Sequence, residues 1–135
     1  MTDRELLKLS IEAMQKSYSP YSECKVGAAL LAKSGKVYTG CNIENASFTP
    51  TVCAERTAFF KAISEGEKEF EKIAIVGGKG GEIKGMFSPC GVCRQVMSEF
   101  CDGDFEVILV TGEEQYEKVT LAELLPYSFK KENVK

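Results

Sequence analysis

The chain has 135 residues, and 17 Lys and Arg against 20 Asp and Glu give a formal net charge of −3. It contains six cysteines and no histidine. The missing histidine excludes Ser-His-Asp and Cys-His catalysis and any histidine metal ligand. A bound metal must therefore use thiolates and carboxylates. A proton moved near neutral pH must travel on a tuned carboxyl group or on a metal-bound water.

The length predicts a single domain over residues 1–135. A slightly acidic chain without a basic patch is not expected to bind nucleic acid, and no apolar run is long enough to cross a membrane. The N-terminus lacks the apolar segment of a signal peptide, so we expect a cytoplasmic protein. Its cysteines are then better interpreted as thiols or metal ligands than as disulfides.

The N-terminal third predicts a helix followed by a hairpin. Thr2 and Glu5 form a capping-box pattern, and Ser19-Pro20 ends the helix. Its apolar face is spaced by steps of four, three and four residues: Leu7, Ile11, Met14 and Tyr18. Val26–Ala32 and Lys36–Cys41 then flank Lys33-Ser34-Gly35 as two paired strands.

The middle of the chain predicts a second helix and a central strand. The helix runs from about Cys53 to Glu65, with Gly66 as its stop. Ile73–Val76 is a short apolar run, typical of a strand buried on both faces. Gly77–Gly81 is expected to be a mobile surface loop, because it lacks the Lys-Ser/Thr ending of a phosphate-binding loop.

The C-terminal third predicts two more helices around another buried strand. Ser88 is the expected cap of a third helix, with Pro89 as its first residue and its end near Phe100. Val107–Val110 is the strand, and Thr120 caps a short helix of residues 121–125. This alternation of helices and strands predicts an α/β layered domain.

Two cysteines lie three residues apart in the expected first turn of the third helix, so both thiols face one way. Cys90 and Cys93 form a CxxC pair, which zinc, iron–sulfur and redox proteins all use. Cys53 and Glu55 add a third thiol and a carboxyl group at the start of the second helix. If these two positive helix ends converge, they favour thiolates.

Three protein ligands are typical of catalytic zinc, whose fourth position stays open for water. Glu55 is then free to take a proton from that water. Arg56 is the obvious cation to offset the excess thiolate charge. Two alternatives remain open: a redox dithiol at Cys90 and Cys93, and a structural four-thiolate site that recruits Cys24 or Cys41.

Two segments around these cysteines resemble a known family: CAER at residues 53–56 and SPCGVCRQ at residues 88–95. Four further stretches extend it over most of the chain: residues 20–31, 40–46, 55–66 and 123–129. The chain resembles the short, homotetrameric, zinc-dependent cytidine deaminases. The resemblance implies a three-layer α/β/α fold with a mixed five-stranded sheet flanked by helices. It also implies hydrolytic deamination of cytidine and deoxycytidine to uridine, deoxyuridine and ammonia in pyrimidine salvage.

The resemblance also assigns roles to individual residues of the site. One zinc ion per chain would be bound by the all-cysteine ligand set of Cys53, Cys90 and Cys93. Glu55 would protonate the pyrimidine N3, assist attack at C4 and deliver a proton to the departing ammonia. The backbone amide of Ala54 would contact the base O2, and the Ser88 carbonyl would receive the exocyclic amine.

Other residues are implied to contact the sugar or to reach the pocket from neighbouring subunits. Asn42 and Glu44 would hydrogen-bond the ribose, while Ala46, Phe48 and Phe129 would come from other subunits of the tetramer. Cys24 stands where the family has a phenylalanine beside the base, and Phe48 replaces a tyrosine. Because both departures alter the pocket, another cytosine-containing nucleoside or a nucleoside antibiotic is the alternative substrate.

Overall fold

The fold is organised by strands whose neighbouring side chains are buried on opposite faces of one sheet. The computed structural model describes residues 1–134. The helices are α1 (Asp3–Met14), α2 (Ala54–Ser64), α3 (Gly91–Phe100) and α4 (Leu121–Leu124), followed by a 3₁₀ turn at Lys131–Asn133. The strands are β1 (Cys24–Ala32), β2 (Val37–Cys41), β3 (Phe70–Lys79), β4 (Glu106–Val110) and β5 (Tyr116–Thr120).

The five strands form one mixed sheet in the order β2-β1-β3-β4-β5. β1 pairs antiparallel with both β2 and β3, and β4 pairs antiparallel with β5. β3 and β4 are parallel, with α3 in the connection between them. The expectation of an α/β fold with a mixed five-stranded sheet is thereby confirmed.

Each face of the sheet carries its own apolar cluster. One face packs β1, β3 and β4 against α2, α3 and α4, with Phe59 among the buried residues. The other face packs alternate residues of the same strands against α1, with Leu6 and Met14 fully buried. This is the three-layer α/β/α arrangement expected from the resemblance.

The capping box that opens α1 is confirmed, since Glu5 N donates to Thr2 Oγ1 and Thr2 N donates to the Glu5 carboxylate. The predicted apolar face extends too far, because α1 ends at Met14 and Tyr18 lies beyond it, 56% exposed. Ile11 is only half-buried. Leu6, which the four-three-four spacing omitted, is fully buried instead.

The interpretation of Gly77–Gly81 as a surface loop is wrong at its first three residues, because β3 extends to Lys79. Gly77 and Gly78 belong to β3 and are buried. A Cβ at Gly77 would lie 2.5 Å from the Phe87 ring, and one at Gly78 would lie 1.6 Å from the Glu82 carbonyl oxygen. The glycines therefore allow the segment after β3 to pack directly on the strand.

Two other predictions need correction. α3 begins at Gly91 with Cys90 as its N-cap, so Ser88 and Pro89 precede the helix and do not open it. The residue pattern alone also missed β5, which is half-exposed at the edge of the sheet. The capping box of α4 at Thr120 and Glu123 and the positive φ of Gly66 after α2 agree with the predicted start and stop of these helices.

None of the helices in residues 1–134 has the length and apolar character needed to cross a bilayer.

Candidate metal centre and active site

Three thiols that are far apart in sequence converge where α2 and α3 begin. Cys53 Sγ lies 3.7 Å from Cys90 Sγ, and Cys90 Sγ lies 3.4 Å from Cys93 Sγ. All three sulfurs lie within 4.8 Å of one another. Tetrahedral zinc with Zn–S distances of about 2.3 Å separates its sulfur ligands by about 3.8 Å. The spacing and the chemistry of this donor set therefore fit a zinc ion.

Both helix N-termini contribute to the cluster directly. Cys53 is the N-cap of α2 and Cys90 is the N-cap of α3, and neither side chain makes a capping hydrogen bond. Cys93 follows in the first turn of α3 and is buried. Because unpaired N–H groups at a helix start favour negative charge, this location stabilises thiolates.

Arg56 places a cation against the sulfurs. Its Nη2 donates to Cys53 Sγ at 3.5 Å. The Cys93 thiol and the Arg56 guanidinium together outweigh burial and lower the pKa of Cys53 to about 5. The contact with an ionised Cys53, together with burial, raises the pKa of Cys93 above its ordinary value.

Glu55 is the buried carboxyl group beside the thiols, with a relative exposure of 4%. Its burial raises its pKa to about 7, with a smaller contribution from the negative charge of Cys53. A carboxyl group whose pKa lies near neutrality can both accept and release a proton at that pH. A buried carboxyl group with a pKa near neutrality therefore lies beside the candidate metal ligands.

The loop that carries Asn42 and Glu44 is held between two other segments. Ile43 N donates to Val52 O, and Val52 N donates to Ile43 O, both at 3.0 Å. On the other side, Glu44 N donates to Tyr18 O at 2.8 Å. The backbone pairing at Val52 brings the loop to the residue immediately before Cys53.

Asn42 is buried and almost fully hydrogen-bonded. Its Oδ1 accepts hydrogen bonds from Val26 N and from Ser17 Oγ, and its Nδ2 donates to Cys24 O at 2.8 Å. Since an amide nitrogen carries two hydrogens and Cys24 O is its one acceptor among residues 1–134, a second N–H of Asn42 can donate to another acceptor. Cys24 is half-buried at the start of β1, next to this amide.

Glu44 is fixed as an ionised carboxylate. Its oxygens accept hydrogen bonds from Ser22 Oγ, Ser22 N and Tyr21 N. The Ser22 hydroxyl contributes most to lowering the pKa of Glu44 below its ordinary value. Sequence reasoning singled out Glu44 but not Ser22, although Ser22 lies in the quoted segment 20–31 and its hydroxyl could have indicated such a contact.

Ser88 lies in the segment between β3 and α3. Phe87 packs on Gly77, and Arg94 Nη2 donates to Ser88 Oγ at 2.7 Å. Arg94 was not singled out from the sequence as a residue of the site. Its only signal was its place directly after Cys93.

Three predicted site residues are exposed in the single chain. Ala46 and Phe48 lie on the loop before α2, where the Phe48 ring is 88% exposed. Phe129 is 63% exposed near the C-terminus, and its carbonyl accepts a hydrogen bond from Gln95 Nε2 at 2.8 Å.

Comparison with known proteins places this geometry in a family. Residues 1–110 match the profile described as "Cytidine and deoxycytidylate deaminase zinc-binding region". The chain is similar to a cytidine deaminase of Sporosarcina psychrophila, at 47% identity over 99% of this chain and 96% of the relative. It is also 47% identical to a cytidine deaminase of Halalkalibacterium halodurans over 98% of both chains.

A solved structure agrees with these sequences. The crystal structure of a cytidine deaminase from Burkholderia pseudomallei covers 96% of this chain and 100% of its own, with a TM-score of 0.87 and 44% identity. Fold and thiol cluster define a zinc-binding deaminase domain. The chain belongs to the cytidine and deoxycytidylate deaminase family.

Proposed function

We propose that this protein hydrolyses cytidine and deoxycytidine to uridine or deoxyuridine and ammonia, a reaction of pyrimidine salvage. One observation carries the proposal: a buried carboxyl group, Glu55, lies beside three thiols that converge at the starts of two helices. Family membership supports the same reaction, since the chain matches cytidine deaminases over nearly its whole length.

Cys53, Cys90 and Cys93 would hold one zinc ion per chain as thiolates. When bound, zinc supplies a Lewis acid with a fourth position at which water is deprotonated near neutral pH. Arg56 offsets the negative charge of three thiolates through its contact with Cys53. Among residues 1–134 the cluster contains three cysteine sulfurs and no fourth ligand from the protein. This argues against a structural four-thiolate site.

Glu55 moves the protons of the reaction. Its carboxylate accepts a proton from the attacking water as the C4–O bond forms, and delivers that proton to N3 of the ring. It then takes the proton of the new C4 hydroxyl and passes it to the exocyclic amine as the C4–N bond breaks. Ammonia leaves, and the ring keeps a carbonyl at C4. Burial excludes competing water from this carboxyl group.

Backbone groups would orient the base. Ala54 is the first residue of α2, so its N–H has no partner inside the helix and can donate to the base O2. The carbonyl of Ser88 would accept a hydrogen bond from the exocyclic amine. Together, a donor for O2 and an acceptor for the amine select a cytosine ring.

Asn42 and Glu44 would hold the ribose. Asn42 has one N–H left to donate, and Glu44 is an ionised acceptor, so a sugar hydroxyl can accept from the first and donate to the second. Cys24 lies beside Asn42 and would line the base. Its small side chain leaves room for a modified cytosine nucleoside or a nucleoside antibiotic, which is the alternative substrate.

We further propose a homotetramer whose sites are completed by Ala46, Phe48 and Phe129 of neighbouring subunits. The support is the exposure of these three residues in the single chain, because an aromatic ring that is 88% exposed at Phe48 is a candidate for burial by a partner. The free nucleoside is the expected partner, with neither nucleic acid nor membrane involved.

Two further expectations remain proposals. Residues 1–135 would act as one domain, supported by the single sheet that joins segments from residue 24 to residue 120. The compartment would be the cytoplasm, supported by all six cysteines being free thiols.

A purified-protein assay with a nucleoside panel tests the proposal. Loss of absorbance should be followed for cytidine, deoxycytidine, 5-substituted cytidines and a cytosine nucleoside antibiotic, with zinc per chain measured on the same sample. We expect one zinc per chain and fastest turnover of cytidine or deoxycytidine. Full zinc occupancy without deamination of any compound would contradict the function, and reversible Cys90–Cys93 disulfide formation without zinc would support a redox protein.

A further inference from the structure

Arg94 uses its guanidinium to hold three separate oxygens. Nε donates to Pro89 O at 2.7 Å, Nη1 donates to Leu124 O at 2.5 Å, and Nη2 donates to Ser88 Oγ at 2.7 Å. Across residues 1–134 it takes part in no ion pair with a carboxylate. All three acceptors are neutral, so these contacts fix geometry and do not balance charge.

Two of these oxygens lie on either side of one peptide unit. The Ser88 carbonyl is part of the planar peptide that joins Ser88 to Pro89. Arg94 holds the Ser88 side chain before that peptide and the Pro89 carbonyl after it. Neither residue lies in a helix or strand, so no ladder of backbone hydrogen bonds orients this peptide. The two hydrogen bonds from Arg94 restrict its rotation and the direction of its carbonyl.

The third contact ties the same side chain to the C-terminal part of the chain. Leu124 is the last residue of α4. The next residue of α3, Gln95, donates from Nε2 to Phe129 O. One turn of α3 therefore joins the segment before Cys90 to the segment that carries Phe129.

We propose that Arg94 is a positioning residue that aims the Ser88 carbonyl at the exocyclic amine and thereby sets the preference for a cytosine ring over a uracil ring. This inference rests on the proposed function and assigns its base specificity to a residue that does not touch the substrate. A carbonyl held rigidly accepts a hydrogen bond from the cytosine amine and repels the oxygen that uracil carries at the same position. If Arg94 no longer fixes the Ser88 carbonyl, binding of a cytosine ring should weaken, while binding of a uracil ring should change little.

The test compares Arg94→Lys and Arg94→Gln with the wild-type protein, all loaded with zinc. The measurements are kcat and KM for cytidine, the inhibition constant of uridine, zinc per chain and the midpoint of thermal unfolding. We expect zinc to stay at one per chain, the KM of cytidine to rise about tenfold or more, and the inhibition constant of uridine to stay within about threefold. The ratio of the two constants is the decisive readout.

Arg4→Ala is the matched control, because Arg4 also donates to a backbone carbonyl, that of Glu114, at 3.0 Å. It should leave the ratio unchanged. An equal loss of affinity for cytidine and uridine would show a general structural role and overturn the inference, as would no change in either. If Arg94→Gln does not fold, Arg94→Lys decides, since it keeps the charge but cannot reach three oxygens. A wild-type protein that deaminates nothing would refute the proposed function instead.

Discussion

Arg56 Nη2 donates to the sulfur of Cys53 across 3.5 Å, within the first turn of α2. Its Nε is buried and has no hydrogen-bond partner among residues 1–134. The guanidinium is therefore positioned by the thiol cluster and not by a carboxylate. The effect of Arg56 on activity should therefore depend on the negative charge of the three thiols.

Replacing Arg56 with Ala should keep the ligands in place but lower activity. Three thiolates without a nearby cation leave an excess negative charge, which weakens the metal as a Lewis acid. We expect kcat/KM for cytidine to fall by about 10- to 100-fold with zinc still at one per chain. Arg56→Lys should recover part of the loss, and unchanged activity in Arg56→Ala would remove this role.

Glu55→Gln should separate metal binding from chemistry. The amide has nearly the shape of the carboxyl group but cannot accept and return a proton. We expect kcat to fall by about 10²- to 10⁴-fold with full zinc occupancy. Glu65→Gln, an exposed change at the end of the same helix, is the control and should behave like the wild type. Deamination by Glu55→Gln at the wild-type rate would contradict the assignment of the proton carrier.

Gly40→Ala should destabilise the packing of α2 on β2. A Cβ at this position would lie 2.5 Å from Ala54 O and 2.6 Å from Ala58 N, so the helix backbone itself must move. We expect the free energy of unfolding to fall by about 1–3 kcal/mol. Zinc affinity should fall as well, because Cys53 and the start of α2 move together.

Denaturant unfolding with zinc present measures this effect. The control is Gly91→Ala, where a Cβ meets no atom within 4 Å. Its stability should stay within about 0.5 kcal/mol of the wild type. Equal stability of the Gly40→Ala and wild-type proteins would show that the helix can shift freely.

Asp3 should make stability depend on pH in the acid range. Burial raises the pKa of Asp3, but its hydrogen bonds and charge contacts with Lys118 and Lys72 outweigh burial, so the net pKa is lowered. A carboxyl group with a lowered pKa in the folded state stabilises the protein above its unfolded pKa. That stabilisation is lost as the pH falls through the folded pKa.

Asp3→Asn should therefore be less stable than the wild type at pH 7 by about 1 kcal/mol, and the difference should shrink below about pH 4. The difference between the two proteins in free energy of unfolding is the measured quantity, because zinc loss in acid affects both. Glu113→Gln, at an exposed loop carboxyl group, should show no such pH-dependent difference. A constant difference between pH 3 and 7 would contradict the role of the charged pairs.

Phe129 is expected to complete the active site of a neighbouring subunit. Phe129→Ala alone and Glu55→Gln alone should each have low activity. After unfolding and joint refolding, mixed tetramers should regain activity, because an intact Phe129 of one subunit can serve an intact Glu55 of another. Light scattering should report four chains in the wild type. No gain above the two separate variants would place Phe129 outside the neighbour's site.

The helices and central strands were predictable because their signals are local. The capping boxes at Thr2 and Thr120 and the apolar run at residues 73–76 report directly on backbone conformation. β5 was missed because an edge strand carries no continuous apolar pattern. The buried Gly77 was misread because its cause, the ring of Phe87, lies ten residues further along the chain.

For the site, the candidate metal ligands could be predicted from the sequence, but the residues that surround them became visible only in the structure. Three cysteines and Glu55 could be selected by spacing and chemistry before any coordinates. The side-chain contacts of Ser22 with Glu44 and of Arg94 with Ser88 could not. Such contacts depend on how loops cross in space, which residue spacing does not encode.

Cys53 and Cys90 occupy the N-cap positions of their helices without capping them. Ser, Thr or Asp at either position would stabilise its helix by about 1 kcal/mol relative to an uncapped start. The chain lacks this local stabilisation at both positions, which are those of two proposed zinc ligands. Zinc binding would therefore cross-link residues 37 positions apart and anchor two otherwise uncapped helix starts. Removing zinc with a chelator should then loosen the fold at the same place where it stops the proposed reaction.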